Sequence, residues 1–213
     1  GAGERAGYYY TCVNSYLTKD ELAYIINNSE SQILITSQSR REVSFAALED
    51  CPKVDLCIVV DGPGNGKDVV NLDEDTAGYP RTPITDESLG VAMLYSSGTT
   101  GQPKGILRPL PDNMPETPLP ISQAVAKFWG HRAGMIHLLP APLYHSAPHA
   151  ALNFTTRVGG TTIIMEKFNA EHYLSSVEKY SVTHSQLVPT MFSRLLKLPA
   201  TVRNKYDVSS LNF

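Results

Sequence analysis

Cysteine is scarce in this 213-residue chain: there are three, Cys12, Cys51 and Cys57, and they form no C-x-x-C pair. An odd, scattered set argues against a disulfide framework and against a structural zinc site, and predicts small apolar side chains in the interior. An excess of one charge is lacking too. Eighteen basic against 21 acidic residues leave a net charge of -3, which gives no electrostatic pull toward nucleic acid. No apolar run reaches the ~20 residues of a membrane-spanning helix, no amphipathic basic helix is evident, and the N-terminal residues carry no signal-like pattern. These properties lead us to expect a cytoplasmic protein. The histidines are scattered; His145 and His149 lie four apart, but Pro148 intervenes and no carboxylate is near in sequence, so no metal site is predicted.

What is present, 42% hydrophobic residues in 213, suffices for one substantial core or two smaller ones. Thr18 followed by Glu21 is a capping box, and Leu22, Ile25 and Ile26 recur on one face, which predicts a helix over 18–28. Residues 32–36 and 56–60 read as strands, with a weakly helical stretch over 42–48 between them; their continuous apolar character predicts strands covered on both faces. The polar stretch 61–86, rich in glycine and proline, reads as a long surface connection and the expected seam between a first portion, 1–86, and a second, 87–213. Five prolines within 108–120 exclude an uninterrupted helix there, whereas 122–129 can form one. Beyond Met135, strands at 136–139, 161–165 and 185–188 alternate with helices at 150–156, 170–180 (capped by Asn169) and from Pro189 on. This alternation predicts an α/β fold with a mostly parallel β-sheet flanked by helices. Trp129 and Tyr8, Tyr9 and Tyr10 are expected in a core or an interface.

The chemistry concentrates in Ser96-Ser97-Gly98-Thr99-Thr100-Gly101-Gln102-Pro103-Lys104-Gly105, which follows the apolar stretch 91–95. Glycines permit a tight turn and close approach to a ligand, hydroxyls donate hydrogen bonds without adding charge, and Lys104 supplies a compact cation. A chain reversal after a strand can also aim successive backbone N–H groups into one concavity. The combination suits phosphate oxygens, with Lys104 against the terminal phosphates. The G-x-x-x-x-G-K-[ST] pattern is not met, because Gln102 and Pro103 separate Gly101 from Lys104 and Gly105 follows it. In parallel sheets ligands gather beyond strand C-termini, where this loop is expected to emerge.

The order Ser-Ser-Gly-Thr-Thr-Gly-x-Pro-Lys-Gly after Leu-Tyr resembles the phosphate-binding signature of the adenylate-forming enzymes, which include acyl-CoA synthetases, luciferases and the adenylation domains of peptide synthetases. Other segments are similar in the same order: 7–22 near the start, Pro142-Leu143-Tyr144-His145, Gly159-Gly160-Thr161-Thr162, and Val188-Pro189-Thr190-Met191. The Lys104-Gly105-Ile106-Leu107-Arg108-Pro109-Leu110-Pro111 segment is similar to a subset of bacterial acyl-CoA ligases. The resemblance implies part of the large N-terminal domain of an acyl-CoA synthetase-like fold. It implies ATP, Mg²⁺ and CoA as cofactors, a carboxylic (fatty) acid substrate, and two half-reactions through an acyl-AMP.

On that resemblance, Ser96, Ser97, Gly98, Thr99, Thr100, Gly101 and Lys104 bind the nucleotide. Lys104 stabilises departing pyrophosphate, Tyr144 packs against the acid, and His145 gates or polarises the carboxylate site. The adenosine-binding segments, the magnesium-binding Thr-Glu pair and the C-terminal catalytic lysine of the family have no counterpart in the chain. We therefore expect an internal fragment of a longer enzyme, inactive by itself. The alternative is a non-catalytic phosphate-binding or scaffolding module derived from the same family. A homodimer and a membrane association of the parent stay open.

Overall fold

The computed structural model describes residues 1–64, 68–96 and 101–212, and the chain divides into two units, Gly1–Pro115 and Glu116–Phe213. The first unit runs α1 (Ala2–Arg5), β1 (Tyr9–Tyr10), α2 (Lys19–Asn28), β2 (Ile33–Thr36), a 3-10 turn at Gln38–Arg40, α3 (Arg41–Leu48), β3 (Leu56–Val59), β4 (Val69–Asn71), α4 (Leu72–Thr76), β5 (Val91–Ala92), β6 (Leu94–Ser96) and β7 (Lys104–Ile106). The second runs α5 (Pro120–Phe128), β8 (Ile136–Leu139), α6 (Ser146–Arg157), β9 (Thr161–Ile164), α7 (Ala170–Tyr180), β10 (His184–Ser185), α8 (Pro189–Leu196) and α9 (Ala200–Arg203).

In the first unit α2 begins at the predicted capping box. The Glu21 N–H donates to Thr18 Oγ1 at 3.4 Å, and the Thr18 N–H donates to Glu21 Oε2 at 2.8 Å. Leu22, Ala23 and Ile26 are buried against Ala47 of α3 and Cys51, with Leu34 and Leu48 packed alongside. Burying each of the larger aliphatic side chains stabilises the unit by about 2 kcal/mol. Cys51 and Cys57 are interior, as expected, and burial raises both thiols above their ordinary pKa.

The sheet β2-β3-β4 is parallel, with Leu34 opposite Cys57 and Ile58 opposite Val70. Its coverage corrects the expectation of strands buried on both faces. Leu34 and Thr36 face the helices, Thr36 Oγ1 lying 2.7 Å from Ser44 Oγ, while Ile33 and Ile35 on the opposite face are 49% and 61% exposed. The 61–86 connection lies inside this unit and holds structure that its composition hides. Val69 and Val70 add β4 to the sheet, and Asn71 caps α4 by accepting the Glu74 N–H at 2.9 Å. Tyr8 and Tyr9 are exposed rather than in the core.

In the second unit the parallel sheet has the order β10-β8-β9. Here β8 does have two covered faces. Leu138 packs with Tyr173 and Val177 of α7 and with Met165 and Val182, whereas His137, one residue earlier and so on the other face, meets Thr155 of α6. The Asn169 cap is present, its Oδ1 accepting the His172 N–H at 2.9 Å. Helix α6 starts four residues before the predicted boundary and contains Pro148 in its first turn, where a missing N–H costs no intrahelical bond. Strand β10 is shorter and earlier than the predicted 185–188. Trp129, expected in a core or interface, is 49% exposed. No helix among the described residues is long and apolar enough to cross a membrane.

Candidate active site

The apolar stretch 91–95 leads into β6, which pairs with β7 as an antiparallel hairpin in the register Leu94–Ile106, Tyr95–Gly105, Ser96–Lys104. The segment follows the C-terminus of a strand, as expected, but that strand is not part of a parallel sheet: β6 and β7 form a two-stranded sheet of their own, and Lys104 is the first residue of β7. Ser96 and Lys104 thus face one another at the mouth of the turn, and both are exposed. Among the described residues no carboxylate is paired with Lys104. Four predicted ligands, Ser97, Gly98, Thr99 and Thr100, lie outside the described residues.

Two glycines have distinct reasons for being there. Gly101 has φ +94°, a conformation open to glycine and strained for other residues, while the space around its missing Cβ is empty. Gly105 is constrained by contact instead: a Cβ would lie 2.5 Å from Met93 Cε and 3.1 Å from Tyr95 Cζ. The hairpin is joined to α2 by two hydrogen bonds that sequence reading missed. The Tyr24 hydroxyl donates to the Pro103 carbonyl at 3.1 Å, and the Tyr95 hydroxyl donates to Asn28 Oδ1 at 2.7 Å. Burial, reinforced by the neighbouring Tyr24, raises the Tyr95 phenol above its ordinary pKa.

Tyr144 and His145 belong to the second unit, where they adjoin the start of α6. Their rings lie 4.3 Å apart between centroids, inclined at 43°. His145 is the N-cap residue, but its side chain makes no cap bond; it is exposed, and its backbone carbonyl accepts the His149 N–H at 3.2 Å. The imidazole is therefore presented outward with the half-buried Tyr144 against it.

The same unit contains a histidine cluster with no precedent in the sequence reading. His131, His137 and His184 have ring centroids 5.9–6.2 Å apart in all three pairs. His137 Nδ1 lies 3.0 Å from Thr155 Oγ1, and His184 Nδ1 lies 2.8 Å from Thr183 Oγ1. Burial, then the neighbouring imidazoles, pushes His137 down to about 4. Burial also lowers His131 and His184, helped by His184 in the first case and by Arg132 in the second. The signal that could have found the cluster is the pairing of His184 with His137 across β10 and β8. Among the described residues no group of three or more histidine, cysteine or carboxylate side chains could hold a metal ion.

The sequence pattern of the AMP-binding enzymes matches residues 2–213, essentially the whole chain. The chain belongs to the AMP-binding enzyme family. It is 32% identical over 218 residues to acyl-CoA synthetase 7 of Caenorhabditis elegans, covering 97% of this chain and 39% of the relative. It is 28% identical to 4-coumarate–CoA ligase of Pinus taeda, covering 99% and 38% of the two chains. To the medium/long-chain-fatty-acid–CoA ligase FadD8 of Mycobacterium tuberculosis it is again 28% identical, covering 99% and 37%. The chain thus spans under two fifths of the length of these relatives. Its fold is that of the inhibitor-bound N-terminal domain of FACL13 from Mycobacterium tuberculosis, with a TM-score of 0.73, 21% identity, and coverage of 95% of this chain and 48% of that one.

Proposed function

We propose that this member of the AMP-binding family carries the triphosphate-gripping part of an ATP-dependent acid–thiol ligase acting on a carboxylic acid of the fatty class, with CoA as acceptor. The observation that carries the reading is Lys104. It stands exposed opposite Ser96 at the mouth of a hairpin whose turn needs glycine at 101, with no carboxylate paired to it among the described residues. A cation so placed is matched to an incoming polyanion rather than to the protein's own acids.

The chemistry this serves has two displacements. A carboxylate oxygen attacks the α-phosphorus of ATP, the bond from that phosphorus to the bridging oxygen breaks, and acyl-AMP and pyrophosphate result. A thiol sulfur then attacks the acyl carbon, the acyl–phosphate C–O bond breaks with loss of AMP, and the thiol proton passes to solvent or a base. In the first displacement negative charge accumulates on the departing pyrophosphate, which Lys104 is placed to neutralise. The undescribed Ser97, Thr99 and Thr100 hydroxyls would supply hydrogen bonds to the same oxygens. In the same reading the His145 imidazole would donate to the carboxylate of the acid, and the Tyr144 ring beside it would pack against the acyl chain. The relatives, an acyl-CoA synthetase, a 4-coumarate–CoA ligase and a medium/long-chain-fatty-acid–CoA ligase by name, support acid activation as the shared chemistry.

The test is acid-dependent exchange of pyrophosphate into ATP by the full-length protein. Lys104→Ala should lower the rate by about 10²–10³, the range seen when a charge-stabilising donor is removed. An unchanged rate removes Lys104 from the reaction, and no exchange with any of a series of fatty and aromatic acids turns the reading toward a non-catalytic phosphate-binding module.

A further inference from the structure

The phosphate hairpin is short, three residues in each strand, and a hairpin of that size is not rigid by itself. Its two side-chain hydrogen bonds to α2 fall at revealing places. Tyr24 and Asn28 are one helical turn apart and so project from the same face of α2. Tyr24 holds the carbonyl of Pro103, the residue before Lys104. Asn28 holds the hydroxyl of Tyr95, which pairs across the ladder with Gly105, the residue after Lys104. The two bonds bracket Lys104 on both sides. Met93 Cε, at 2.5 Å, and the Tyr95 ring, with Cζ at 3.1 Å, both crowd the place a Cβ at Gly105 would take, so a side chain there would press on Met93 first and on Tyr95 next. The helix bearing these contacts is itself fixed, by its capping box and by Leu22, Ala23 and Ile26 in the core.

We propose that Tyr24 and Asn28 are positioning residues that set where the Lys104 ammonium group meets the triphosphate. The inference rests on Lys104 being a phosphate ligand. The Tyr24 bond acts on the backbone next to Lys104, the Asn28 bond acts through the Tyr95 side chain on the strand paired with it, and neither residue needs to touch nucleotide. Loss of one such hydrogen bond corresponds to about a tenfold effect when it acts wholly on the reactive geometry.

The experiment uses the full-length protein and acid-dependent pyrophosphate exchange, with KM for ATP and for the acid measured separately. Tyr24→Phe keeps the ring and removes the donor; Asn28→Ala removes the acceptor, and Asn28→Asp restores one. Tyr24→Phe and Asn28→Ala should each raise KM for ATP or lower kcat/KM for ATP about tenfold, leave KM for the acid unchanged, and be rescued at position 28 by Asp. Combined with Lys104→Ala, neither should cause a further loss, because the group they position is gone. Wild-type ATP kinetics in both single variants overturns the proposal. So does the same tenfold loss in the Lys104→Ala background, which marks a general structural effect. If Lys104→Ala alone has no effect, the phosphate-ligand reading itself fails, and this inference with it.

Discussion

Acidification should destabilise the second unit, and the histidine cluster gives the size of the effect. His137 is 4% exposed, and burial together with His131 and His184 holds its imidazole at about 4, against about 6.5 in an unfolded chain. Above pH ~6.5 the ring is neutral in both states and leaves stability unaffected. Below it the unfolded chain binds a proton that the folded site refuses, so stability is complete above the unfolded value and is lost as pH falls toward about 4. The slope approaches ~1.4 kcal/mol per pH unit, and the loss for this ring totals about 3 kcal/mol. His131 and His184 are displaced in the same direction, and the positive charge of Arg132 opposes protonation of His184 further, so their losses add in the same sense. Set against the 5–15 kcal/mol of an ordinary domain, that is a large fraction.

The measurement is urea unfolding of the 213-residue chain at pH 7, 6 and 5, followed by fluorescence of Trp129, its one tryptophan, two residues from His131. His137→Asn keeps a polar atom near Thr155 Oγ1 but does not titrate. It should be about 1–2 kcal/mol weaker at pH 7 from lost packing, yet lose about 2 kcal/mol less than the wild type between pH 7 and pH 5. Equal pH slopes in the two proteins, or a flat wild-type profile, would refute the assignment of the acid sensitivity to this ring.

Leu138→Ala removes a fully buried side chain of β8 packed on α7 and should cost about 2–5 kcal/mol in urea unfolding. Gly101→Ala places a Cβ on a residue at φ +94° with open space around it, so the cost is conformational alone. About 1–2 kcal/mol is expected, read as faster amide exchange in β6 and β7 with the core of α2 still protected.

Legibility in the sequence divides by range. The Thr18–Glu21 and Asn169 caps act within three residues, and the helices they start lie where the local pattern puts them. Helix α6 starts four residues before the expected boundary and accommodates Pro148 in its first turn, where no intrahelical N–H bond is lost. Strand β4 has two valines and no run of its own; it exists through Ile58 and Cys57 of β3, and a strand defined by its partner leaves little local trace. The histidine cluster likewise depends on the register of two strands whose residues are 47 apart in sequence, as the Thr183–Ile136 contact shows.

The site divides in the same way. Gly101 and Lys104 are readable because the turn's conformation and its charge are carried by the residues themselves, whereas the Tyr24–Pro103 and Asn28–Tyr95 bonds join residues 79 and 67 apart. A phosphate loop that opens directly into a helix takes its rigidity from the next residues in the chain. A strand–turn–strand hairpin has no such support, and a distant element has to supply it. In this protein that element is α2, already anchored in the core through Leu22 and Ile26, and the side chains it offers the hairpin are spaced one helical turn apart.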